Sequence, residues 1–169
     1  AEAACLRPVG AGPEMVCRTR LADVPVGEGV ELRWASDEAG INDFIAVNSD
    51  AYSTYGMPRE VVAETIVDPR RVLVPHIHTV VAYVEGAPVA AAQTVLSHGI
   101  AGVYWVGTVE AARGRGLGEA VTRAVTNRAF DLGARINTLQ ASPMGEPIYT
   151  RMGYETIFRH RTFVRFSPP

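Results

Sequence analysis

Two short segments hold the residues best placed to do chemistry. In Val109-Glu110-Ala111-Ala112-Arg113-Gly114-Arg115-Gly116-Leu117-Gly118 a β-rich run passes through a glycine-rich turn into a helical pattern. The N–H groups that open a helix have no intrahelical partner and point outward with the positive end of its dipole, which makes an anion site. Glycines at 114, 116 and 118 let a phosphate approach the backbone, while Arg113 and Arg115 add fork-shaped cationic donors. The turn suits a pyrophosphate, although alternating glycines also serve a tight turn and close helix packing. The second segment, Ser142-Pro143-Met144-Gly145-Glu146-Pro147-Ile148-Tyr149-Thr150-Arg151-Met152-Gly153-Tyr154, carries a phenol, Tyr149. On a short helix beside Ile148 and Met152 it can donate a proton or simply pack.

Competing chemistries fit less well. A dinucleotide fingerprint starting at Gly114 requires glycine at 119, where the chain has Glu119. The chain has no lysine, so a Walker A loop, a Schiff-base lysine and a lysine general base are all excluded. Cys5 and Cys17 stand without a second pair and without a C-x-x-C spacing, which reads as two reduced thiols and no zinc site.

The elements that must position these segments follow from periodicity. Residues 1–29, rich in glycine and proline, read as an N-terminal extension, with a short strand available at Met15 to Leu21. A domain over 30–169 opens with a strand at Val30 to Trp34 and a helix capped by Ser36 or Asp37, with Ile41, Phe44 and Ile45 on one face. A second helix begins at Pro58, carries Val61, Val62 and Ile66, and ends at Asp68-Pro69. Three β-rich runs, Thr79 to Val84, Pro88 to Leu96 and Ile100 to Val109, are spaced as antiparallel hairpins. A helix from Leu117 ends at Gly133, and a strand at Ile136 to Ala141, a short helix at Pro147 to Met152 and a strand region from Tyr154 to Phe166 complete the order. The fold class is α+β: a mixed, mostly antiparallel central sheet with helices on both faces.

The 169 residues make one domain of ordinary globular composition, 47% hydrophobic and 20% charged. A net charge of −2 supplies no field for a polyanion, so nucleic-acid binding is not expected. No run reaches the length of a membrane span and the N-terminus lacks the order of a signal peptide, so the expectation is a cytoplasmic protein without membrane contact.

Arg113-Gly114-Arg115-Gly116-Leu117-Gly118 resembles the R/Q-x-x-G-x-G/A motif of the GNAT superfamily of acyl-CoA-dependent N-acyltransferases. Ser142 to Tyr154 is similar to that family's second motif: Asn or Ser, a tyrosine seven residues on, then basic-x-Gly-aromatic. The resemblance covers about residues 30–166. It implies acetyl-CoA as cosubstrate, with Gly107, Thr108 and Val109 pairing the pantetheine arm and the turn over Arg113, Gly114, Arg115, Gly116, Leu117, Gly118 and Glu119 holding the pyrophosphate. Ser142 stands where the family contacts the cofactor, and Tyr149 matches the tyrosine proposed to protonate the leaving thiolate. The implied activity is direct attack of a primary amine on the thioester, with an N–H near Val109 stabilising the oxyanion and no metal. A CoA-binding module without turnover is the alternative.

Other features carry less. The strand at Ile136 to Ala141 offers Asn137 and Gln140 where some relatives of that family have a glutamate base, leaving Glu110, Glu146, Asp50 and His98 as candidates acting through water. His76 and His78 have the spacing of a metal pair without a third ligand nearby. Tyr52, Tyr55 and Met57 are placed to line an acceptor pocket, and Arg159, His160, Arg161 and Arg165 form a basic cluster. The last strand region is short, so the N-terminal extension or a second copy, as a homodimer, would complete the sheet.

Overall fold

The computed structural model describes residues 6–65 and 68–165; Cys5, Ile66 and Phe166 lie outside them. The chain runs β1 (Leu6–Cys17), β2 (Val30–Trp34), α1 (Glu38–Ser53), α2 (Arg59–Thr65), β3 (Ile77–Val84), β4 (Ala87–Ser97), β5 (Ile100–Thr108), α3 (Leu117–Asp131), β6 (Ile136–Gln140), α4 (Glu146–Met152) and β7 (Glu155–Arg165). Among the described residues the strands form one seven-stranded sheet in the order β2-β3-β4-β5-β6-β1-β7. All neighbours are antiparallel except β5 and β6. No helix among them is long and apolar enough to cross a membrane.

Asp37 is the N-cap of α1, its carboxylate accepting from the Gly40 N–H at 2.9 Å. Ile41, Phe44 and Val47 then repeat on one face and are buried against Val81, Tyr83 and Ala91. On the other face of the sheet, Leu117, Val121 and Val125 of α3 pack with Val80, Ala82, Ala90, Ala92 and Val103. Small residues dominate β4, so both helices lie close to the strand that joins the two layers.

One expectation is corrected. Residues 6–17, assigned from sequence to an extension outside the domain, are a full sheet strand lying between β6 and β7. Proline and glycine lower the intrinsic strand preference of this segment, but pairing along both edges and burial of Met15, Val16 and Cys17 override it. β1 therefore fills the place otherwise left to a second copy, and that argument for a homodimer falls away.

β5 and β6 pair in parallel only over Ile100 to Gly102 and Ile136 to Thr138. Beyond them the facing edges separate. On its other edge β5 carries a bulge: Gln93 pairs with Tyr104 and Ala91 with Gly107, so Trp105 and Val106 stand opposite a single residue, with Trp105 at φ +53.

Candidate functional site

The gap between β5 and β6 opens into a cleft of about 490 Å³. Val106, Gly107 and Thr108 form one wall, Gly114, Gly116, Leu117, Gly118 and Glu119 the end, and Ser142, Gly145, Ile148 and Tyr149 the other wall. The two segments singled out from sequence thus meet across one cavity.

The end wall is an open helix N-terminus. The N-cap, Gly116, lies at φ +74 with no side-chain cap, and the first helical bond runs from the Ala120 N–H to the Gly116 carbonyl at 3.0 Å. The N–H groups of Leu117, Gly118 and Glu119 remain to meet an anion. The Glu119 carboxylate is turned aside to Arg123 at 2.7 Å.

The two arginines of the turn do not point into this opening together. Arg113 reaches back to α1, donating from Nη2 to the Thr54 hydroxyl at 2.6 Å and the Ala51 carbonyl at 3.3 Å, and from Nε to the Thr108 carbonyl at 3.3 Å. Its guanidinium also lies 5.4 Å from the Tyr55 ring centre. Arg115 lines an adjoining cavity of about 520 Å³ that shares Gly116, Leu117 and Glu119 with the cleft and reaches Trp34 and Arg128. Backbone N–H groups open the end wall, and the Arg113 and Arg151 side chains also line the cleft.

A second correction concerns Val109. Its N–H donates to the Val89 carbonyl at 2.9 Å and is not free for an oxyanion. Alternation along the antiparallel ladder turns Gly107 toward β4 as well, leaving Thr108 directed to the cleft. The fit at Gly107 is close, since a Cβ there would lie 2.5 Å from Asn48 Oδ1 on α1.

Ser142 closes the turn that leads into α4, its Oγ and its carbonyl accepting from the Gly145 N–H at 3.1 and 3.0 Å, and its carbonyl accepting from the Glu146 N–H at 2.9 Å. Gly145 was not singled out from sequence, yet a Cβ there would lie 2.7 Å from the Tyr149 ring and 3.4 Å from Ser142 Oγ. It is what lets the phenol lie against the start of its own helix. Burial pushes the Tyr149 phenol above its ordinary value of 10.0, partly offset by the Thr122 hydroxyl beside it. The phenol therefore keeps its proton at neutral pH.

The lip of the cleft comes from the end of α1. Tyr55 lines it, Tyr52 packs edge-on against Trp105 of the bulge with ring centres 5.4 Å apart, and burial raises the Tyr52 phenol to about 12. Of the three carboxylates considered as bases, Asp50 is paired with Arg59 and Glu146 with Arg159, while Glu110 is exposed at the start of the turn. His98, bonded to Ser97 Oγ at 2.8 Å, sits at the opposite end of β5 from the turn. Asn137 is fully buried beneath Tyr154, whose hydroxyl donates to its Oδ1 at 3.1 Å. His78 is held below its ordinary value by burial, and no group of three potential metal ligands exists among the described residues.

Comparison with known proteins agrees with this geometry. A family model described as an acetyltransferase (GNAT) domain matches residues 17–140. A GCN5-related N-acetyltransferase from Kribbella flavida is 24% identical at a TM-score of 0.69, the match covering 89% of this chain and 56% of that one. One from Sphaerobacter thermophilus is 19% identical at a TM-score of 0.69, covering 99% and 56%. A predicted acetyltransferase from Clostridium acetobutylicum, solved with acetyl-CoA, is 15% identical at a TM-score of 0.61, covering 75% and 90%. The chain thus spans little more than half the length of the first two. No curated protein sequence matches it.

Proposed function

The chain belongs to the GNAT acetyltransferase family, and from that premise we propose that it transfers acetyl from acetyl-CoA to a primary amine within a ternary complex. One observation carries the reading: a row of uncapped N–H groups and a buried, protonated phenol face each other across a cleft whose wall is an unpaired strand edge.

The residues suit each part of the cosubstrate. Leu117, Gly118 and Glu119 N–H groups hold the pyrophosphate, and Gly114 and Gly116 keep the approach clear. With the Thr108 carbonyl taken by Arg113, its N–H on the outer edge of β5 hydrogen-bonds a pantetheine carbonyl as an added strand would. Gly107 contributes closeness to α1, and Arg113 fixes the lip rather than the phosphate. Ser142 orients α4 and with it Tyr149.

In the reaction the neutral amine attacks the thioester carbonyl. The C–N bond forms, and backbone dipoles around Val106 at the bulge stabilise the oxyanion. On collapse the C–S bond breaks with its electron pair going to sulfur, and Tyr149 donates its proton to the thiolate. The amine nitrogen releases a proton and the phenolate regains one from solvent. Starting from an ammonium ion, one proton is released net.

Release of free thiol from acetyl-CoA at pH 8 with a panel of primary amines is the test. Amine-dependent release supports the proposal; tight binding of acetyl-CoA without release by any amine means a CoA-binding module instead.

A further inference from the structure

The strand that lacks a carboxylate, β6, has β1 directly beside it. Glu14 pairs with Gln140 in that ladder, and on its other edge β1 sets Gly12 against His160 of β7. Met15, Cys17, Leu139 and Ala141 point into the core under α3 and α4. Alternation places Gly12, Glu14, Gln140 and His160 on the opposite face, the one α1 covers over β3 to β5. There the sheet is open: Gln140 is exposed, Phe158 is 55% exposed and Tyr104 52%.

Glu14 and His160 stand side by side on neighbouring strands. His160 Nδ1 lies 3.3 Å from Glu14 Oε1, the side chains being 31% and 18% exposed. That Nδ1 is buried and has no well-aligned hydrogen-bond partner. The imidazole lies flat over Gly12, where a Cβ would be 3.1 Å from His160 Cε1 and 3.2 Å from the Ala141 carbonyl. Ala141 donates its N–H to the Pro13 carbonyl at 3.0 Å and is followed by Ser142 of the cleft wall. The pair therefore lies on β1 and β7 beside the start of the cleft wall, without lining the cleft itself. Of the charged groups nearby, Arg159 is paired with Glu146 and, with Arg161, projects to the α4 side. β6 contributes only Thr138 and Gln140 to the open face, β5 contributes Tyr104, and Glu155 is opposite Val16, farther along the ladder.

We propose that His160 is the proton acceptor for the amine and Glu14 its positioning residue, an inference that rests on the transferase reading above. An incoming ammonium gives one proton through a bridging water to His160 Nε2, leaving the neutral amine to attack. The Glu14 carboxylate, 3.3 Å from Nδ1, offsets the imidazolium charge, and the imidazolium then passes its proton to solvent. The base absent from β6 is thereby supplied from the two strands next to it.

The test compares n-butylamine, protonated at neutral pH, with hydroxylamine, already neutral there, in the wild type, His160→Gln and Glu14→Gln. In the wild type the n-butylamine rate falls on the acid side. His160→Gln lowers that rate by about 100-fold or more and removes the limb, while hydroxylamine loses less than about 3-fold. Glu14→Gln acts in the same direction with a smaller loss. Unchanged acetyl-CoA binding by calorimetry shows the variants folded. Equal losses on both amines, or none, overturn the assignment, whereas a wild type that binds acetyl-CoA and uses neither amine overturns the transferase reading and the pair's role together.

Discussion

The Arg113 guanidinium donates to the Thr54 hydroxyl at 2.6 Å and so ties the glycine turn before α3 to the end of α1 that forms the lip of the cleft. Thr54 is followed by Tyr55 over the guanidinium, and Tyr52 one turn back packs on Trp105 of the bulge. Turn, lip and bulge are one connected set of contacts.

Arg113→Met should therefore raise the amine KM by about 10-fold, the worth of a charge-assisted hydrogen bond, with little change in acetyl-CoA affinity. Arg113→Lys should not restore it, because a single ammonium cannot reach Thr54, Ala51 and Thr108 at once. Steady-state kinetics beside calorimetry separates the two constants. A loss confined to acetyl-CoA binding would place the guanidinium on the phosphate after all.

Tyr149→Phe should lower kcat by about 100-fold to 10,000-fold and leave CoA binding intact. Burial raises the phenol above 10.0, so its protonated, donating form persists through the mildly alkaline range and is lost only as pH passes that raised value. The wild-type profile of kcat should show no alkaline decline below about pH 10. A decline near pH 8 that Tyr149→Phe abolishes would contradict the assignment.

Gly107→Ala brings a Cβ to 2.5 Å from Asn48 Oδ1 and must push α1 from β5. Overpacking of this kind costs about 1–3 kcal/mol. Adding Asn48→Ala should recover part of the loss, and urea denaturation of the four proteins in the cycle measures the coupling. Additive effects would mean that the two residues do not oppose each other.

Tyr154→Phe removes the donor to Asn137 Oδ1 and the partner of Thr126 Oγ1, both buried. The expected cost is about 1–3 kcal/mol, seen as a lower urea midpoint at unchanged slope. Acetyl-CoA binding at saturating protein stability should be unaltered, since this hydroxyl faces the core.

What could be read from sequence was local chemistry. The uncapped N–H groups after Gly116 depend on one turn and the helix it opens, so the residues there announce them, and the short helix carrying Tyr149 is equally local. The direction of the Arg113 side chain was hidden because its partner is 59 residues away. That the Val109 N–H is taken was hidden because the Val89 carbonyl that takes it belongs to a hairpin register no composition reveals. β1 was hidden because glycine and proline blur its alternation, and only the slot between β6 and β7 gives it an identity. Glu14 and His160 are ordinary residues in sequence; the ladder that joins them makes them a pair.

The central claim is that the cleft between β5 and α4, closed by the open turn at Gly116, holds acetyl-CoA. Calorimetric titration of the wild type and Gly118→Val with acetyl-CoA and with CoA tests it most directly. Gly118 lies in the helix with ordinary φ, and a Cβ there would stand 3.3 Å from Thr108 Oγ1, so valine narrows the path between turn and strand. The account predicts roughly micromolar binding to the wild type and at least about 100-fold weaker binding to a variant with unchanged circular dichroism. Equal binding by both, or none by the folded wild type, would contradict it.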